Sequence, residues 1–192
     1  MKNRELKENI NADLFRYYGV ITTKIFLSSL LFNPGFRYMY LFRKCVYYQQ
    51  NKSYIPHFFY KMLLSLQAHG YGCEIPETVV IGKGFYIGHM WGITINPQAC
   101  IGNNVNIAKG VTIGQTNRGE KKGIPTIGNR VWLGINSIVV GGIKIEDNVL
   151  IGPGAYVNFD VPANSMVLGN PGKIISSSSS IEGYIENTVD EN

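Results

Sequence analysis

The chain has 192 residues, 45% of them hydrophobic, with a net charge of +5 and three cysteines. That size suits one domain, or one domain plus a small appendage, with enough apolar material for a real core. Cys45, Cys73 and Cys100 have neither paired nor metal-ligand spacing, which argues against a disulfide-stapled secreted fold and against a metal site. The opening MKNRELKENINADL is polar and lacks the layout of a signal peptide. The longest apolar run near it, IFLSSLLF (residues 25–32), is far short of the roughly 20 residues that cross a bilayer. A cytoplasmic protein without a membrane span is expected.

Residues 1–72 read as a helical region. Apolar positions recur at three and four: Leu6, Ile10, Leu14 and Tyr17, then Phe36, Met39, Tyr40, Phe42 and Tyr47, then Phe58, Met62, Leu63 and Leu66. Asn33-Pro34 and Ile55-Pro56 mark helix starts with Pro in the first turn. Three or four short helices follow from this. The first 70 residues hold ten Lys/Arg and three Asp/Glu, giving +7. These charges are spread among aromatics at helical spacing, which describes a solvated face and not a nucleic-acid patch.

From Ile75 the period becomes six. The beats are Ile75, Ile81, Ile87, Ile95, Ile101, Ile107, Ile113, Ile127, Leu133, Val139, Ile145, Ile151, Val157 and Ala163. A small or acidic residue often follows, as at Gly82, Gly102 and Gly128, and a second set includes Val105, Val111, Val131, Ser137, Val149 and Ala155. This is the pattern of a parallel β-helix, in which three hexads make one triangular coil and the beat points inward onto its copy in the next coil. The repeat domain is expected over residues 73–175. Residues 176–192, with SSSSS and then acidic and polar residues, read as a flexible tail.

Two beats come late. Ile87 to Ile95 spans eight residues and carries Gly88, His89, Met90 and Trp91, so a bulge at a surface turn is expected there. A lone histidine is more often structural than catalytic, but bulges and loops are where function concentrates. The second delay, Ile113 to Ile127, contains the polar insert QTNRGEKKGIP, a solvated loop or a flap.

These pieces carry a resemblance. CEIP (73–76), IGHMWGITI (87–95), VTIGQT (111–116), IPTIG (124–128) and VLGNPGKII (167–175) resemble the catalytic domain of serine acetyltransferases, within the hexapeptide acyltransferase superfamily. The resemblance implies a left-handed parallel β-helix behind a small α-helical region. It implies acetyl-CoA as co-substrate, direct acetyl transfer to an acceptor hydroxyl, and His89 as general base partnered by Glu74, fifteen residues upstream, where the family usually has Asp. It also implies a homotrimer, or a dimer of trimers, with acetyl-CoA in a groove between two subunits. Gly114, Gln115, Thr116, Gly134, Ile135 and Pro153 would line that groove, Lys173 would lie near the adenine end, and the 115–125 loop would cover the cleft.

The sequence departs from the family at the acceptor. Gly88 stands where serine-specific members carry Asp, and Gly123 and Ile124 stand where they carry an Arg-His pair. Serine remains the first acceptor on resemblance. A sugar hydroxyl is the rival, with Trp91 available to stack on a ring. A non-catalytic trimeric scaffold is the third reading. Family members that dock onto cysteine synthase use a tail ending in Ile. This chain ends in Asn192, so that complex is not expected.

Overall fold

A computed structural model describes residues 1–189. Four helices come first: α1 (Asn3–Tyr18), α2 (Thr23–Phe32), α3 (Pro34–Gln50) and α4 (Tyr54–Tyr71). Asn33 caps α3 through its side chain, with Pro34 in the first turn, as the dipeptide suggests. Gly19 and Gly72 end α1 and α4 in the left-handed conformation. Among the described residues no helix is long and apolar enough to cross a membrane.

The strands wind into coils of three. β1 (Val80–Ile81), β2 (Tyr86–Ile87) and β3 (Thr94–Ile95) make the first coil; β4 (Cys100–Ile101), β5 (Asn106–Ile107) and β6 (Thr112–Gly114) the second. β7 (Thr126–Ile127), β8 (Val131–Leu133) and β9 (Ile138–Val140) follow, then β10 (Lys144–Ile145), β11 (Val149–Ile151) and β12 (Tyr156–Val157). β13 (Ser165–Leu168) adds one more parallel strand, and β14 (Lys173–Ser176) runs back antiparallel to it. Three parallel faces result: β1-β4-β7-β10, β2-β5-β8-β11-β13, and β3-β6-β9-β12. Each beat pairs with the beat one coil on, Ile87 with Ile107 and Ile107 with Leu133.

Every beat from Ile75 to Val157 is buried, and so is the whole second set from Val105 to Ala155. Ala163 is the exception and lies exposed. Val161 and Val167 take the inward places instead. The last coil is short, because Val161 pairs with Ile145 only four residues after Val157, and beside it the Asp160 carboxylate accepts from Lys144 N–H at 2.8 Å.

A parallel coil begins with an unpaired edge, and the helices cover it. Arg43 is a bidentate partner of Asp13 (2.9 and 3.0 Å) and donates to the carbonyls of Ile81 and Gly82. Asp13 also accepts from Phe85 N–H. Tyr17 hydroxyl both donates to Ile87 carbonyl and accepts from Ile87 N–H, each at 3.1 Å. Burial pushes the ionisation of Tyr17 far up, so this hydroxyl stays protonated.

Residues 177–189 do not trail away as their composition suggests. They run back along the second face. Ser177 N–H donates to Asn164 carbonyl and Ser180 hydroxyl to Asn148 carbonyl. Asn106 donates to Tyr184 carbonyl, Arg16 to Glu186 carbonyl, and Asn104 exchanges bonds with Val189. The Tyr184 ring lies 4.9 Å from that of Trp132. Polar partners on the coils, not apolar burial, hold the segment. Asn192 lies outside the described residues.

The side chains of Arg43 and Asp13 are 5% and 1% exposed, so removing one strands the other. Asp13→Ala should destabilise the protein by about 3–5 kcal/mol. A urea titration would read this as a lower midpoint at unchanged slope, and a loss under about 1 kcal/mol would show that Arg43 finds other partners.

Candidate active site

The eight-residue delay forms the corner between β2 and β3. At the matching corners of later coils a left-handed residue closes the turn: Gly110, Asn136 and Gly154. Gly92 plays this part in the first coil, so the surplus falls on residues 88–91. Trp91 N–H bonds to His89 carbonyl, tightening the bulge. Met90 does not share the expected surface position. It is 3% exposed and packs into the core that joins coils and helices, where Gln67 amide approaches its sulfur. Met90 thereby anchors the bulge, and its sequence neighbours His89 and Trp91 are left exposed.

His89 opens onto a cleft of about 480 Å³. Its walls come from α1 (Arg16, Tyr17), from the second face (Tyr86, Asn106, Trp132), from the next corners (Ala108, Ile135) and from the C-terminal segment (Gly183, Tyr184, Glu186, Asn187). Arg16 is buried and fully employed, donating to Gly84 carbonyl, Asn106 Oδ1 and Glu186 carbonyl. Burial lowers it to about 10, which leaves it charged at neutral pH. Glu186 is the one carboxylate among the described lining residues. The His89 imidazole has no side-chain hydrogen bond or ion pair among the described residues, so either nitrogen is open to a ligand.

The structure does not join Glu74 to His89. Glu74 is tied by its backbone to Ile93 and Ile95 on the third face, and its exposed side chain lines a different cleft with Ser65, His69 and Thr94. Trp91 sits edge-on to Tyr71 at 5.0 Å and does not line the His89 cleft.

The residues expected to hold the coenzyme fall into two columns. Gly134, Ile135 and Pro153 lie on the His89 side of the prism: Gly134 backs onto Pro153, and Gly154 N–H bonds to Ile135 carbonyl. Gly114, Gln115 and Thr116 lie at the next corner, after β6. Thr116 and Gly123 form a two-way backbone bridge that closes the base of the 115–125 loop. Gly123 abuts Gly142, and Ile124 packs against the core. Lys121 is paired with Asp160 at 2.6 Å. Lys173 is exposed at the start of β14. The part of the C-terminal segment in the cleft was not legible beforehand. The hint was a small apolar set, Ile181, Tyr184, Ile185 and Val189, within a mostly polar tail.

A hexad-built parallel β-helix with a histidine raised on a corner bulge defines a hexapeptide-repeat transferase, and residues 124–158 match the family model for the bacterial transferase hexapeptide (six repeats). Among relatives, a serine acetyltransferase of Synechococcus elongatus is 37% identical over 150 residues, covering 78% of this chain and 60% of the relative. One from Helicobacter pylori is 35% identical over 147 residues, covering 77% of this chain and 84% of the relative. The crystal structure of Neisseria gonorrhoeae serine acetyltransferase in complex with serine superposes with a TM-score of 0.74 at 26% identity, covering 91% of this chain and 70% of that one. The chain belongs to the serine acetyltransferase family, and its coils are the left-handed parallel β-helix of that family. It spans only 60% of the length of the Synechococcus relative.

Proposed function

We propose that this protein is an O-acetyltransferase that moves the acetyl group of acetyl-CoA to a hydroxyl, with serine the acceptor its family points to. The observation that carries the reading is His89, an exposed imidazole with no internal partner, raised on a bulge over an open cleft. His89 takes the proton of the acceptor hydroxyl as its oxygen attacks the thioester carbonyl. The tetrahedral intermediate then collapses, and the imidazolium returns the proton to the departing coenzyme thiolate. Such base help is worth about 10²–10⁴-fold. Within one chain no carboxylate is bonded to this base. His89→Ala should lower kcat by at least about 10²-fold with acetyl-CoA binding retained, and Glu74→Gln should cost less. Thiol release measures the first and calorimetry the second; a His89→Ala enzyme with most of its activity would end this mechanism.

The two coenzyme columns support a trimer. Corners of one triangular prism face apart, so one chain cannot close a groove with both. Three chains can, each setting its His89 corner against the 115–125 loop corner of the next. The exposed Phe32 and Leu31 of α2 and Ile55 and Phe58 of α4 offer further apolar surface for assembly. Light scattering should give about 64 kDa, three times 21.4 kDa, or its double. A fully active monomer would overturn this arrangement.

A sugar hydroxyl is favoured as second reading by one observation. Gly88, Gly123 and Ile124 bring no charge, Arg16 is already spent on three acceptors, and the rings of Tyr86, Trp132 and Tyr184 stand among the cleft walls. Glu186 could meet an ammonium group, but the one lining arginine is spent, so the carboxylate of a zwitterion would lose water there without a charged partner, whereas a polyol needs none. Serine turnover should therefore show a KM above about 1 mM. Gly88→Asp should raise kcat/KM for serine more than for any sugar, since a side chain at 88 meets only Tyr86 at 3.4 Å. Gly123→Arg is not a usable graft, because Gly123 has φ +143° and a Cβ would lie 2.9 Å from Gly142 Cα. Unmodified protein that turns serine over at about 10⁴ M⁻¹s⁻¹ or faster would remove the sugar reading.

A further inference from the structure

Away from the His89 corner, three metal-ligating side chains meet where the helices join the first coil. Cys45 on α3, His57 on α4 and Glu77, three residues before β1, bring a sulfur, a ring nitrogen and a carboxylate oxygen within 4.8 Å of one another. Cys45 is fully buried, and the side chains of His57 and Glu77 are 20% and 11% exposed. Glu77 divides its two oxygens. Oε2 faces Cys45 Sγ at 2.8 Å and His57 Nε2 at 3.2 Å. Oε1 accepts from Lys61 Nζ at 2.8 Å and from Gln49 Nε2 at 3.3 Å.

We infer that Cys45, His57 and Glu77 form a binding site for a zinc-type divalent ion. A thiolate, an imidazole and one carboxylate oxygen suit zinc and disfavour magnesium or calcium. A tetrahedral ion about 2.3 Å from sulfur and about 2.1 Å from nitrogen and oxygen sets its ligands roughly 3.4–3.6 Å apart. The two edges that meet at Glu77 need to open by less than about 1 Å to reach this. Lys61 and Gln49 hold the other carboxylate oxygen, the support that metal-bound carboxylates receive, and the Lys61 charge offsets part of the ligands' own. Glu77 and Lys61 also line a cleft of about 740 Å³, which opens the carboxylate side of the group to solvent and so supplies an access route.

Binding breaks the Cys45 S–H bond and forms a sulfur–metal bond, and the proton leaves to solvent through the cleft. Because the thiolate is the ligand, uptake releases a proton and weakens as pH falls. The ligands come from α3, α4 and the chain entering β1. The bound ion therefore ties the helical region to the first coil and takes no part in acetyl transfer.

The test uses the full chain, loaded with zinc sulfate, desalted and measured for metal by mass spectrometry. About one zinc per chain is expected, falling below about a tenth in Cys45→Ala and in His57→Gln, and kept in Cys100→Ser, which alters the exposed thiol. Cobalt(II) loaded into the unmodified protein should give a thiolate-to-cobalt charge-transfer band, a readout that stands even where a variant fails to fold by circular dichroism. Unmodified protein that retains less than about a tenth of an ion per chain overturns the site, as does an ion that stays with both variants.

Discussion

The structure depends on how the first coil is closed. A β-helix pairs every coil with the next, so its first coil has no partner above and would present bare N–H and C=O groups. Here the backbone of Glu74 pairs with the third face, and side chains from the helical region partner the other two. Arg43 takes two carbonyls of the first turn, Asp13 takes Phe85 N–H, and Tyr17 satisfies both backbone groups of Ile87. Ile87 immediately precedes the bulge. The groups that complete the fold thus also fix the strand from which His89 is launched.

The bulge is stable for a related reason. Two surplus residues at a corner would ordinarily be mobile, but Met90 is drawn inward and packs beneath α4. Polar Gln67 bridges it to Pro34 carbonyl at the start of α3. A buried residue between two exposed ones gives a short segment one fixed orientation. A candidate base needs this, because geometry limits proton transfer before basicity does.

Much of this was legible in the sequence because a six-residue period imposes burial at every beat, and the beats are buried from Ile75 to Val157. The pattern fails at Ala163, because Val161 pairs with Ile145 and takes the inward place four residues after Val157, an early beat that period counting cannot see. Met90 was misplaced because a bulge was equated with exposure. The segment after Ser176 was misread for a different reason. Its composition is mostly polar and acidic, but Asn104, Asn106 and Arg16, scattered far upstream, supply its hydrogen bonds. The Cys45, His57 and Glu77 group has spacings of 12 and 20 residues, which match no motif. Only the packing of α3, α4 and the first coil assembles it. The Glu74–His89 partnership is implied by resemblance, and within one chain no hydrogen bond joins the two side chains, since Glu74 lines a different cleft.

The C-terminal segment also acts as a gauge of length. It starts at the last coil beside Asn164, passes Asn148, Trp132 and Asn106 in turn, and ends at Asn104 near the helices. Coils in such a rod can in principle be duplicated or lost without disturbing distant ones, since each touches only its neighbours. This strap removes that freedom. One extra coil would lengthen the face by about 4.8 Å, and the strap would need about two more residues to keep its hold. Coil number and the length of chain between Ser177 and Val189 are therefore coupled, and a coil cannot be added alone without displacing one wall of the cleft beneath His89.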